Sequence, residues 1–212
     1  MADASLSALL ALASHELRQP TGIVRGYLSM LETDLTLPGR ARNVIDEAAR
    51  GADKIVQLLD EMGELARLRD GSFRPALKSM SLRSVLNQAV QAANLPADND
   101  VELDVIAPVD VRMRVDEARM RNVFGTLISM LARAQAGATT IDVMLAKRAR
   151  TATITVTPRS LGRGRAVEQP IDLGRGGSGM QLPIAEAIVH AHGGRLRERW
   201  IAGRWSGFIV RL

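Results

Sequence analysis

The stretch Ser14-His15-Glu16-Leu17-Arg18-Gln19-Pro20 lies inside a longer apolar repeat, and the spacing of that repeat decides the fold of the N-terminal third. Apolar or small residues at Leu6, Leu10, Ala13, Leu17, Pro20, Val24, Leu28, Leu31 and Leu35 alternate by threes and fours, which writes one seam along a long helix. His15 lies off that seam. At about 100° per residue it points roughly opposite the stripe through Ala13 and Leu17, and Gln19 shares its face. Glu16 is the chain neighbour of the histidine, so a direct contact needs a particular rotamer, but the pairing has chemical use. A carboxylate that accepts from one ring nitrogen fixes the tautomer and leaves the other nitrogen bare and nucleophilic. Pro20 brings no amide hydrogen and crowds the carbonyl of Glu16, so a kink just beyond the histidine is expected.

After the turn signal Thr36-Leu37-Pro38-Gly39 a second seam runs through Val44, Ala48, Gly51, Ile55, Leu58, Met62 and Leu65. Two long helices joined by a short turn form an antiparallel hairpin. Alone, such a hairpin leaves an apolar face uncovered. Pairing two copies into a four-helix bundle buries every seam, so a homodimer is expected.

Composition bounds the rest. The 212 residues leave room for the hairpin and one globular domain of about 140 residues with its own core. The absence of cysteine excludes a disulfide framework and a thiolate metal site. No run approaches the roughly 18 apolar residues of a membrane span, and the start lacks a charged signal region, so no membrane segment and a cytoplasmic location are expected. The net charge of +5 comes almost wholly from arginines that are scattered along the chain. With aromatics at 3%, stacking platforms for nucleic acid are missing, and the charge reads as a solvated surface that could steer an acidic partner.

Asp70-Gly71-Ser72 marks a boundary between a hairpin over 1–70 and a second domain over 71–212. In the second, the spacing predicts a helix over 81–94 opened by a Ser81 cap, a strand near 101–106, a helix over 116–135, and strands near 139–146 and 151–157. A helix over 180–191 and closing strands near 195–202 and 205–211 follow, with Trp200 and Trp205 in a hairpin packed on the sheet. The fold class is α+β: a helical hairpin, then an α/β sandwich with helices on one face of a mixed sheet. His190 and His192 have no third ligand nearby and no zinc spacing; a helix end capped by Gly193 accounts for them, and no metal is expected.

His-Glu-Leu-Arg-x-Pro, continuing through Thr21-Gly22-Ile23-Val24, resembles the phosphoacceptor box of two-component sensor histidine kinases. The second domain is similar to the ATP-binding domain of the same kinases, the fold shared with gyrase, Hsp90 and MutL. Asp116 to Val123 resembles the entry to its first nucleotide helix, Gly176 to Ala185 its second glycine box, and His192-Gly193-Gly194 and Gly207-Phe208 its ending. The resemblance implies His15 as phosphoacceptor, Glu16 as assisting base, and Gln19 at a position linked to orienting water for dephosphorylation of a response regulator. It also implies regulator docking beside the histidine, on Gln19, Gly22, Arg25 and Gly26.

The nucleotide chemistry departs from the family pattern. Where the family places two asparagines four apart, the second a magnesium ligand, this chain has Thr126 and Met130, and a thioether is a poor Mg²⁺ ligand. Where the family has an adenine-reading aspartate, Pro158 and Arg159 follow Thr157. Asp172-Leu173-Gly174-Arg175-Gly176 spells the missing motif but abuts the second glycine box, so it reads as a glycine-rich loop. Gly177 and Gly179 remain as a degenerate anion-binding turn, and Gln181 replaces a glycine. The leading expectation is therefore a phosphorelay protein: His15 exchanges a phosphoryl group with a response regulator aspartate and needs no cofactor of its own. The alternatives are an active kinase core that uses Mg-ATP to phosphorylate His15, and a non-catalytic pseudokinase scaffold that sequesters a regulator or kinase.

Overall fold

The computed structural model describes residues 2–34, 36–95, 100–135, 138–159 and 179–212. The chain divides into two compact units, Met1–Ser72 and Phe73–Leu212.

The first unit is a hairpin of α1 (Ala2–Glu32) and α2 (Gly39–Arg69). Pro20 sits inside α1, which continues through it as one helix; the Thr21 hydroxyl donates to the carbonyl of Leu17 in the turn around it. The turn between the helices is tied by Asp34, whose carboxylate accepts from the backbone and hydroxyl of Thr36. Those two bonds hold the Asp34 carboxyl below the usual carboxylate range.

The inner face of α2 differs from the seam expected from sequence. Ala49, Ala52, Leu59 and Ala66 are buried against α1, with Gly63 in the same stripe at three-four spacing. Val44 and Ile55, on the expected seam, stand 61% and 48% exposed. On α1 the expected seam also splits. Leu10 and Leu28 turn toward α2, while Leu6, Leu17, Val24 and Leu31 are exposed together with Leu9 and Tyr27. Small residues line much of the hairpin interior, where they let two backbones approach closely; Leu59 and Leu65, the latter on the expected seam, are buried with them, while many other large side chains are left outward.

The second unit is an α/β sandwich. Its elements are β1 (Lys78–Ser81), α3 (Leu82–Ala92), β2 (Val101–Ile106), β3 (Arg112–Val115), α4 (Glu117–Ala134), β4 (Thr139–Arg148), β5 (Thr151–Pro158), α5 (Gln181–Ala191), β6 (Arg195–Ile201) and β7 (Arg204–Arg211). Five strands form one sheet in the order β2-β4-β5-β7-β6, with β2 parallel to β4 and the other pairs antiparallel. β1 and β3, not foreseen in the sequence, pair as a separate two-stranded ribbon. Ser81 caps α3 and Asp116 caps α4, each accepting from the amide three residues on.

The helices cover one sheet face. Ile141, Val143 and Leu145 of β4, Ala152, Ile154 and Val156 of β5, and Phe208 and Val210 of β7 alternate inward to meet Leu82, Leu86, Phe124, Leu127, Ile128 and Leu131. Gly207 sits at φ +115, where a Cβ would fall 2.0 Å from the carbonyl of Val156. Trp205 packs edge-on to Phe208 at 5.2 Å between ring centroids, but Trp200 does not join the core: it is 46% exposed, and its indole donates to Glu198.

Candidate functional site

His15 stands on the exposed side of α1. On the helical wheel the outward apolar residues Leu6, Leu9, Leu12, Leu17, Ile23, Val24, Tyr27, Met30 and Leu31 fill a sector about 140° wide, and the histidine lies outside it, about 60° beyond Leu12 and Met30. The α2-facing stripe occupies a third sector, so the imidazole belongs to neither packing surface.

Its neighbour Ser14 does the opposite. Ser14 is 2% exposed and its hydroxyl donates to the carbonyl of Leu59 at 2.9 Å. Opposite it is Gly63, where a Cβ would come within 2.9 Å of the serine oxygen. One turn further along α1, Arg18 pairs with Asp60. These contacts fix the rotation of α1 about its axis at the level of the histidine, and a helix cannot turn Ser14 inward without turning His15 out.

Gln19, Gly22 and Gly26 follow on the histidine's side. A Cβ at either glycine would meet nothing within 4 Å, so that surface is open to an approaching partner. Arg25 sits elsewhere, half-buried toward α2, with its guanidinium held by Asp53 and Glu32. Hydrogen bonds to those two carboxylates raise its pKa above the ordinary arginine value. Glu16 is exposed, and among the described residues no hydrogen bond joins it to the imidazole.

In the second unit, the residues at the family's nucleotide positions lie on α4, at the end of β5 and at the start of α5. Thr126 and Met130 are half-buried on α4, and Ser129 between them is buried, accepting from the amide of Asn94 at 3.1 Å. Arg133, one turn on, donates to the Gln181 side chain at 3.1 Å, bridging the end of α4 to the first residue of α5. Burial lowers the Arg133 pKa from the usual value. Pro158 is buried at the last position of β5, and Arg159 turns away to a clasp with Asp142 and Asp104. Both carboxylates raise the Arg159 pKa, Asp142 foremost. Gly179 enters α5 at φ +74, while Gly177 and the Asp172–Gly176 motif lie outside the described residues.

The two C-terminal histidines separate in role. The ring of His192 accepts from the amide of Asp116 at Nε2, 3.0 Å, and Nδ1 is 2.7 Å from the carbonyl of Ile188, so Nδ1 carries the proton. That ring joins the end of α5 to the cap of α4, with both nitrogens engaged. Gly193 follows at φ +75 and closes the helix end as expected. No described helix is long and apolar enough to cross a membrane.

Residues 5–71 match the His Kinase A (phospho-acceptor) domain. The sensor-like histidine kinase SenX3 of Mycolicibacterium smegmatis is 23% identical over 99% of this chain and 58% of its own length. The alginate biosynthesis sensor protein KinB of Pseudomonas aeruginosa is 26% identical over 94% of this chain and 36% of its own. The chain thus spans little more than half the length of SenX3 and about a third of KinB. Among solved structures, full-length ShkA in complex with AMPPNP superposes with a TM-score of 0.76 at 19% identity, covering 96% of this chain and 45% of that one. The Acinetobacter baumannii histidine kinase AdeS gives a TM-score of 0.60 at 19% identity, covering 93% of this chain and 96% of that one. Residues 5–71 thus carry the phosphoacceptor domain of histidine kinases, and the chain as a whole shares the hairpin-and-sandwich fold of solved histidine kinases.

Proposed function

We propose that this chain is a dimeric phosphotransfer core in which His15 exchanges a phosphoryl group with an aspartate of a response regulator, without an ATP step of its own. The observation that carries the proposal is the placement of His15: exposed on α1, outside the outward apolar sector, and held there by the inward anchor of Ser14. A second copy covers the apolar stripe and leaves the imidazole free. A bare ring nitrogen attacks the phosphorus of an aspartyl phosphate, an N–P bond forms, the acyl O–P bond breaks, and the carboxylate leaves. Glu16 is placed to take a hydrogen bond from the other ring nitrogen after a rotamer change. The receiver supplies its own metal and carboxylates, so the hairpin needs only a nucleophile and the open surface at Gln19, Gly22 and Gly26.

Independence from ATP is supported by Thr126, Met130 and Pro158 standing where the family has two asparagines and an aspartate, and by the Arg133–Gln181 bridge between the helices that flank those positions. A second reading is favoured by the likeness to a kinase structure that holds AMPPNP: His15 is then phosphorylated from Mg-ATP bound at a divergent site. One experiment decides. The pure chain is incubated separately with γ-labelled ATP and with a phosphorylated receiver domain, beside the His15→Ala variant. Label arriving only from the receiver, and only with His15 present, is the expected result. Label from ATP establishes the second reading, and undiminished biological activity of His15→Ala would leave a scaffold role instead.

A further inference from the structure

The scattered arginines of the sequence are not scattered in the fold. The hairpin unit carries eight Lys and Arg against eleven Asp and Glu, a net of −3, whereas the second unit carries twenty against twelve, a net of +8. Much of that excess gathers on one end of the sheet face that the helices leave open. Arg195 and Arg197 alternate along β6, Arg211 on β7 lies directly opposite Arg195 in register, and Thr153 of β5 lies opposite Arg211. Arg148 of β4 pairs with Thr151 on the same face, Arg150 follows in the adjoining turn at Ala149, and Lys147 at that exposed strand end alternates to the other face. All six cations are exposed, and among the described residues none has a carboxylate partner. The open-face acids Glu102, Asp104 and Asp142 lie toward the other edge, the last two held by Arg159.

Two arginines directly opposite in an antiparallel pair repel each other, and nothing described here relieves the Arg195–Arg211 pair. An external anion does. We propose that this end of the sheet docks on an anionic phospholipid surface. The choice of occupant follows from what surrounds the charge. A protein interface is centred on large apolar side chains and depleted of charge, yet the residues between these cations are Thr151, Thr153 and Thr155 with the small Ala146 and the half-buried Ile209. Single-stranded nucleic acid needs aromatic platforms, and none lies among them. A bilayer of mobile anionic headgroups asks only for a flat cationic surface, and four to eight clustered Lys or Arg are of the usual number.

The test is flotation of the intact 212-residue chain with vesicles of phosphatidylcholine alone or with about 30% phosphatidylserine, at low and high salt. Expected is binding only to the mixed vesicles, weakened by salt, and reduced about thirtyfold or more in the double variant Arg195→Glu/Arg211→Glu. Arg204→Glu, a single charge reversal at the opposite end of β7, binds as the parent does, whereas Arg211→Glu alone loses about half of the effect on a logarithmic scale; an unchanged circular dichroism spectrum of the double variant guards against misfolding. Failure of the parent to float, full binding by the double variant, or equal loss in Arg204→Glu overturns the proposal. So does tighter binding to duplex DNA or polyglutamate than to the mixed vesicles.

Discussion

The two units bury their apolar residues in opposite ways. The sandwich hides its large side chains: Phe124, Phe208, Leu82, Leu86 and Leu127 are fully enclosed by three helices and a sheet. The hairpin hides its small ones and displays Leu9, Tyr27 and Met30 at 61%, 65% and 69% exposure. A region that exposes such a stripe is stable only against something else. The sandwich encloses its large apolar side chains within its own unit; the hairpin leaves many of its own outward.

That contrast can be broken in several ways. The largest effect belongs to the sandwich core: Phe208→Ala removes a ring enclosed on all sides and costs about 3–5 kcal/mol, read by chemical denaturation and independent of protein concentration. In the hairpin, Val24→Glu or Ile55→Glu places a charge in the outward stripe and weakens self-association about a hundredfold, or ~3 kcal/mol, seen as a shift from dimer to monomer in sedimentation. A parent chain that sediments as a monomer with an intact hairpin would erase the distinction drawn above.

A smaller effect sharpens it inside the hairpin. Gly63→Ala gains about 1 kcal/mol of helix propensity. Against this stand about 1–3 kcal/mol of overpacking against Ser14. Ser14→Ala removes both the clash and the hydroxyl, so the double variant recovers the propensity gain. A coupling of about 1 kcal/mol or more between the two sites is expected from a thermal double-mutant cycle, whereas additive effects would mean that Ser14 and Gly63 do not meet.

The smallest effect depends on pH. Burial pushes the Asp116 carboxyl up, but the amides of Ala76 and Arg119 outweigh it with help from the charges of His192 and Arg119, and the net shift is downward. A carboxylate lowered in the folded state contributes stability that is complete above the ordinary carboxylate pKa and is lost as pH falls through the folded value. Asp116→Asn keeps the oxygen that caps Arg119 but turns its amino group toward the amide of Ala76, so it costs about 0.5–1 kcal/mol at neutral pH and flattens the acid limb below about pH 4.

Much of this was legible in the order of the residues. The helices and strands of the main sheet fall within a few residues of their expected bounds, because apolar alternation and the Ser81 and Asp116 caps are local signals. β1 and β3 escaped notice because four residues such as Lys78-Ser79-Met80-Ser81 are too short to show a period. The inner stripe of α2 escaped for a different reason: alanine and glycine carry little hydropathy, so Val44 and Ile55 drew the seam to the wrong side. The basic sheet end was hidden because Arg211 meets Arg195, and Arg148 joins their end of the sheet, only through strand pairing, and because Leu196 and Glu198 interrupt the arginines of β6. The position of His15 was readable from helical phase alone, but the Ser14–Gly63 anchor that enforces it joins residues 49 apart.

The chain holds three histidines, and the environment of His192 makes one of them a built-in standard. With Nε2 accepting from Asp116 and Nδ1 facing Ile188, that ring is locked in a single tautomer, whereas His15 in open solvent exchanges between both. In a nitrogen-15 spectrum of the imidazoles, His192 would stay still while phosphorus arriving at His15 shifts its neighbour signals. The protein would carry its own reference line for watching the reaction in a single tube.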